Sequence, residues 1–162
     1  MVRHFSLPVV QAYMDHVQNN AEEAIELYSQ IPSDSPLKRV AELQRGLNLA
    51  DLDRHDEAIK QFDDVVKRAG SGSIYGRMAR LGKADTQARA GQVDAAIVTW
   101  KEMAASTTGE FPVDAILMEL ARAYAQKGEK EEARKTFSQL IDQHPNSPYT
   151  SEARTELENL KS

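Results

Sequence analysis

The stretch LMELARAYAQKGEKEEARKTFSQLIDQHP, from Leu117 to Pro145, decides the fold of this chain. Its apolar and small residues recur at helical spacing on both sides of Gly128, a pattern that is typical of two amphipathic helices joined by a turn. Ala121 and Ala133 are small enough to let the two helices pack closely. The stretch therefore predicts a helical hairpin.

The alanine of the second predicted helix recurs at intervals of 34, 38 and 37 residues, at Ala24, Ala58, Ala96 and Ala133. An aromatic residue follows each alanine four positions later, and an apolar residue comes three positions after that. These residues are Tyr28, Phe62, Trp100 and Phe137, followed by Ile31, Val65, Met103 and Leu140. A period of about 34 residues or slightly more is typical of a helix–turn–helix repeat. We therefore predict an all-α fold, a right-handed α-solenoid of about four helix hairpins.

We predict a single domain over residues 1–162 that is built from four repeats. They lie near 6–32, 36–69, 73–105 and 112–145, and a capping helix follows at 148–160, which makes nine helices. Two serine–proline pairs, at 35–36 and 147–148, place a capping hydroxyl and a first-turn proline at predicted helix starts.

One feature departs from the regular repeat. Counted back from Ala58 and Ala96, a core position of the first helix falls on Arg45 and Lys83, where an unpaired buried charge would be costly. The apolar stripes Val40/Leu43/Leu47/Ala50 and Met78/Leu81/Ala84/Ala88 are displaced from that register. Two explanations are open: a shortened turn between the two helices, or apolar stripes that line a concave face.

The first helices of the repeats supply the predicted partner-binding residues. We expect them to form a concave, mainly apolar groove with a polar rim, which would accept an apolar helical or extended segment. The candidate residues are Val9, Tyr13, Val40, Leu43, Leu47, Met78, Leu81, Asp85, Met118 and Arg122.

Charge and apolar content limit the kinds of partner and of cellular location that we expect. The formal net charge is −5 and no basic stripe exists, which argues against nucleic acid as a partner. The chain has no cysteine and no apolar run long enough to span a bilayer. Residues 1–10 lack the apolar core of a signal peptide. We therefore expect either a cytosolic protein or one whose N-terminal signal or anchor is missing from this chain.

The sequence offers no pattern for catalysis. His4, His16, His55 and His144 are scattered, without the spacing of a zinc-binding helix. No phosphate-binding loop and no nucleophile elbow are present. We therefore predict no enzymatic activity, no cofactor and no metal.

The chain resembles the tetratricopeptide-repeat (TPR) family, and specifically its members in the bacterial cell envelope. The positions that carry the general resemblance are Leu117, Leu120, Ala121, Tyr124, Gly128, Ala133, Phe137, Leu140 and Pro145. Residues 75–84, YGRMARLGKA, are similar to a helix of the ancillary Sec-translocon-subunit type. Residues 137–160, with HPNSPY at 144–149, resemble the closing repeat of Tol–Pal and outer-membrane-assembly proteins. The anchor helix of the translocon-associated family has no counterpart in this chain.

The resemblance implies a non-catalytic scaffold that binds a protein or peptide, in the periplasm or held to a membrane. Two alternatives are a self-assembling structural adaptor, which would form a homodimer through one end, and a cytosolic chaperone-binding adaptor. The latter uses Lys, Asn and Arg on its first helices to clamp a carboxylate, and only Asn48, Lys83 and Arg122 lie near such positions.

Overall fold

The computed structural model describes residues 20–106 and 111–160, and this part of the chain consists of eight α-helices without a strand. The helices are α1 (Ala21–Ser29), α2 (Lys38–Asp51), α3 (His55–Ala69), α4 (Ile74–Arg89), α5 (Val93–Ser106), α6 (Val113–Gln126), α7 (Lys130–Gln143) and α8 (Thr150–Asn159). The predicted all-α architecture is confirmed. The first predicted helix, together with His4 and His16, lies outside the described residues.

The helices pack in two compact units, divided after Ala90. In the first unit α2 packs against α1, α3 and α4, and α3 also packs against α4. In the second unit α6 packs against α5 and α7, and α8 packs against α7. The single domain over residues 1–162 stays a prediction.

The recurring alanine marks the core, as the sequence predicts. Ala24, Ala58, Ala96 and Ala133 all have 0% of their surface exposed. The aromatic and apolar residues that follow them are also buried, each with 2% exposure or less. A methyl side chain at the alanine position lets a neighbouring helix approach, and the aromatic ring one turn later fills the space beside it.

Within residues 20–106 and 111–160, the three turns that join a first helix to a second helix have the same length. Three residues separate α2 from α3, α4 from α5, and α6 from α7. Each turn contains one residue in the left-handed region: Asp53 at φ 57°, Gly91 at 79° and Gly128 at 78°. The explanation of the displaced stripes by a shortened turn is therefore wrong.

Gly128→Ala should lower the free energy of unfolding by about 1 kcal/mol, because alanine is strained at positive φ. A Cβ at Gly128 would meet nothing within 4 Å, so the cost is conformational alone. Gly128→Asn should cost less, since asparagine tolerates this conformation. Urea denaturation measures both variants, and an alanine variant as stable as the asparagine variant would contradict this account.

Both helices predicted to start at a serine–proline pair begin two residues later, at Lys38 and Thr150. Each pair forms a turn closed by a backbone bond of 3.1 Å, from Lys38 N–H to Ser35 O and from Thr150 N–H to Ser147 O. The serine hydroxyl accepts from the N–H two positions on, at 3.3 Å and 3.1 Å respectively. The serines thus satisfy a backbone donor as predicted, but in a tighter turn that precedes the α-helix.

Candidate functional site

Helix α2 has two chemically different faces. Val40, Leu43 and Leu47 follow one another at spacings of three and four residues, and so do Lys38, Glu42 and Arg45, offset around the helix. The apolar face lines a pocket shared with α4, and the charged face lines a cavity shared with α1 and α3.

The apolar pocket has a volume of about 280 Å³. It is lined by Val40, Leu43, Gln44 and Leu47 of α2, Phe62 of α3, and Tyr75, Met78, Leu81, Gly82 and Asp85 of α4. Six of the ten predicted partner-binding residues thus come together here: Val40, Leu43, Leu47, Met78, Leu81 and Asp85. Their role in binding a partner stays a prediction.

Phe62 forms the buried floor of the pocket, with 0% exposure. Its ring lies against Gly46 of α2 and Gly82 of α4, where an added Cβ would stand 2.6 Å and 2.7 Å from ring carbons. Both helices can approach the ring only because these positions lack a side chain. A glycine inside a helix costs about 1 kcal/mol relative to alanine, so the two glycines were a signal of close packing that our sequence analysis missed.

Exposure varies within the apolar stripes. Leu43 is buried at 5%, whereas Leu47 is 40% exposed and Met78 48% exposed. Ile74, one turn before Met78 on α4, is 51% exposed. The stripes therefore contribute both to the core and to an accessible apolar surface, and the explanation that they line a concave face stays a prediction.

The charges at the displaced core positions are paired with α3. Arg45 Nη1 donates a hydrogen bond to Gln61 Oε1, and Lys83 Nζ lies 2.6 Å from Asp63 Oδ1. Both cations are half-buried rather than enclosed. Pairing and partial hydration offset the cost of a charge at these positions.

Ion pairs link α4 to the end of α2 beside the pocket. The guanidinium of Arg89 lies 3.4 Å from Asp51 Oδ1 and 3.4 Å from Asp53 Oδ1. Asp51 and Arg89 come one helical turn after the pocket residues Leu47 and Asp85. These groups are not part of the pocket lining, and as exposed pairs they add little to stability. The polar rim stays a prediction.

The remaining predicted site residues are not part of this pocket. Met118 is fully buried at 0%, so the prediction that it lines an open groove is corrected: α6 buries Ile116, Leu117 and Met118 in succession. Arg122 is half-buried and paired with Glu119 at 2.6 Å and with Glu152. Val9 and Tyr13 lie outside the described residues.

In residues 20–106 and 111–160, no cluster of three His, Asp or Glu side chains could hold a metal ion. Over the same ranges, no helix is long and apolar enough to cross a membrane.

Comparison with known proteins places the chain among helical-repeat proteins. The family model for the tetratricopeptide repeat-like domain matches residues 4–157. TPR-like repeats from Podosopora anserina superpose with a TM-score of 0.77 at 21% identity, covering 98% of this chain and 87% of theirs. MamA from Desulfovibrio magneticus RS-1, from residue 41 to its end, gives 0.73 at 17% identity, covering 99% and 97%. No curated protein matches the chain significantly. The chain belongs to the tetratricopeptide repeat-like domain family.

Proposed function

We propose that this protein is a non-catalytic scaffold that holds an apolar helical segment of a partner protein in the pocket between α2 and α4. The TPR-like fold is generally used for protein–protein interaction, which supports the class of function. The observation that carries the proposal is the exposure of Leu47 and Met78, two large apolar side chains that line the same pocket. Apolar surface of this kind gains free energy when a partner removes it from water.

The size and lining of the pocket favour side chains of a helix as the occupant. A volume of about 280 Å³ lies just below the range of pockets that enclose small molecules. Gln44, Asp85 and the hydroxyl of Tyr75 are the polar side-chain groups of the lining, so an extended peptide would leave most of its backbone groups unpaired. A helix satisfies its own backbone and can insert apolar residues spaced three or four apart.

Leu47→Glu should lower the affinity for the partner by about tenfold or more, because a charge would then have to be buried against apolar surface. Met78→Glu should do the same. Val98→Glu is the matched control, since Val98 is 56% exposed on α5 and lies outside the pocket lining. Leu43 is unsuitable because a charge at this buried position would disrupt the core.

Photo-crosslinking from Met78 in source cells identifies the partner, and titration of that purified partner then measures the variants. Circular dichroism checks that each variant stays folded. Equal affinity of the Leu47→Glu, Met78→Glu and Val98→Glu proteins would overturn the pocket assignment. Capture of only a second copy of the chain would replace the scaffold with the self-assembling adaptor.

We further propose that the scaffold works in a bacterial cell envelope, as a translocon or envelope-assembly accessory. The proposal is supported by the resemblance of residues 75–84 and 137–160 to envelope TPR proteins. Fractionation of source cells, with detection of the native protein, tests it: recovery with the periplasm or with membranes is expected. Recovery with the cytosol, together with crosslinking to cytosolic chaperones, would favour the cytosolic adaptor instead.

A further inference from the structure

A second, charged cavity lies in the first unit between α1, α2 and α3. It has a volume of about 180 Å³ and is lined by Tyr28, Ser29, Lys38, Glu42, Arg45, Gln61 and Arg68. Three of these side chains are cationic and one is a carboxylate. The whole chain carries a net charge of −5, so this excess of positive charge is local.

The three cationic side chains of the cavity differ in the charge of their hydrogen-bonding partners. Arg68 Nη1 lies 3.0 Å from Glu42 Oε1, whose side chain is buried, and Arg68 Nη2 lies 4.0 Å from Asp64 Oδ2 outside the lining. Lys38 Nζ donates to the carbonyl of Ile31 at 2.7 Å, and Arg45 donates to the neutral amide of Gln61. Both carboxylates therefore pair with Arg68, whereas Lys38 and Arg45 donate to neutral groups and keep their positive charge uncompensated by a direct ion pair within the described residues.

The repeat itself shows that the fold does not need charges in this place. Counted from Ala58 and Ala133, Glu42 corresponds to Leu117 and Arg45 to Leu120. These leucines are buried in the second unit, with 1% and 5% exposure. Apolar packing thus fills these positions in the second unit, whereas the third repeat, whose first helix lies in the first unit, carries Arg80 and Lys83 there. The charges are therefore a property of the first unit that the repeat itself does not require.

Two buried atoms of the cluster also lack a partner. Neither Arg45 Nε nor Glu42 Oε2 has a hydrogen bond, although both are inaccessible to solvent. Unpaired buried groups are costly, and they are seldom kept where apolar residues would serve the fold.

We propose that the cavity binds a carboxylate side chain presented by an acidic protein segment. Guanidinium groups match the planar carboxylate with paired N–H donors, and the ammonium of Lys38 adds a third positive charge. Arg68 is about half exposed, so a group from outside can reach the cluster. The site lies on the face of α2 away from the apolar pocket, and its ligand is of opposite polarity.

Calorimetric titration of the full chain with a capped peptide of alternating Asp and Glu tests the proposal. The matching peptide of Asn and Gln should bind at least about tenfold more weakly, and inorganic phosphate more weakly than the acidic peptide. Affinity for the acidic peptide should fall as salt is raised. Equal binding of the acidic and amide peptides, or tighter binding of phosphate, would overturn it.

Variants locate the site. Arg45→Gln should weaken the acidic peptide by about tenfold, whereas Lys60→Gln, the same charge change at an exposed position of α3, should not. The double variant Glu42→Leu/Arg45→Leu copies Leu117 and Leu120, so it should fold and also lose the peptide. Leu47→Glu should retain it, which separates this site from the apolar pocket. A Lys60→Gln loss equal to that of Arg45→Gln would place binding elsewhere.

Discussion

Gly76→Ala should destabilise the first unit by about 3 kcal/mol, although alanine is the better helix former. A Cβ at Gly76 would lie 1.9 Å from the carbonyl oxygen of Gly70. That carbonyl cannot move freely, because it accepts hydrogen bonds from the hydroxyl of Ser73 at 2.8 Å and from its N–H at 3.2 Å. The Ser73 hydroxyl in turn caps α4 by accepting from Gly76 N–H at 3.0 Å. The new methyl group must therefore displace the linker and the cap together.

Gly72→Ala is the control for this prediction, since it lies in the same linker and a Cβ there meets nothing within 4 Å. Its effect should be within about 1 kcal/mol and of either sign, because alanine mainly restricts the unfolded chain. Chemical denaturation followed by circular dichroism measures both variants. If Gly76→Ala matched Gly72→Ala, the close crossing of the linker over α4 would be wrong.

The recurring alanine and aromatic residues were enough to predict the helical fold and much of the core. Their spacing is a direct consequence of helix geometry, and burial of both follows from close packing of a helix pair. Six predicted residues meet in one pocket for the same reason: residues at equivalent positions of successive first helices come to lie side by side.

Finer distinctions within the site did not follow from the sequence. Leu43 and Leu47 belong to one stripe, yet one is core and the other accessible, because exposure depends on how far the neighbouring helix reaches. Met118 fits the first-helix pattern, but α6 buries three consecutive residues and leaves it no open face. Phe62 was recognised as a core residue only, since nothing local indicates that its ring also forms a pocket floor.

The two faces of α2 link stability and binding in opposite ways. On the charged side, the positions equivalent to Glu42 and Arg45 are buried leucines in the second unit, and replacing buried charges by apolar residues is often neutral or stabilising. On the apolar side, Phe62 forms the floor of the pocket, and α2 and α4 lie against its ring at Gly46 and Gly82. Changes to the charged face should therefore alter binding at little cost in stability, whereas loss of the ring should affect both.

Phe62→Ala should lower the free energy of unfolding by about 4 kcal/mol, because a fully buried ring is removed from among rigid helices. Binding of the partner should also be lost, since the pocket floor is gone.

Gly46→Ala supplies a sharper test of the packing around the ring. It should lower the free energy of unfolding by about 2 kcal/mol, because its Cβ would stand 2.6 Å from a ring carbon of Phe62. In a Phe62→Leu background the same change should cost little, because the smaller side chain makes room. A double-mutant cycle by urea denaturation measures this coupling, and additive effects would show that Gly46 does not provide the space for the Phe62 ring.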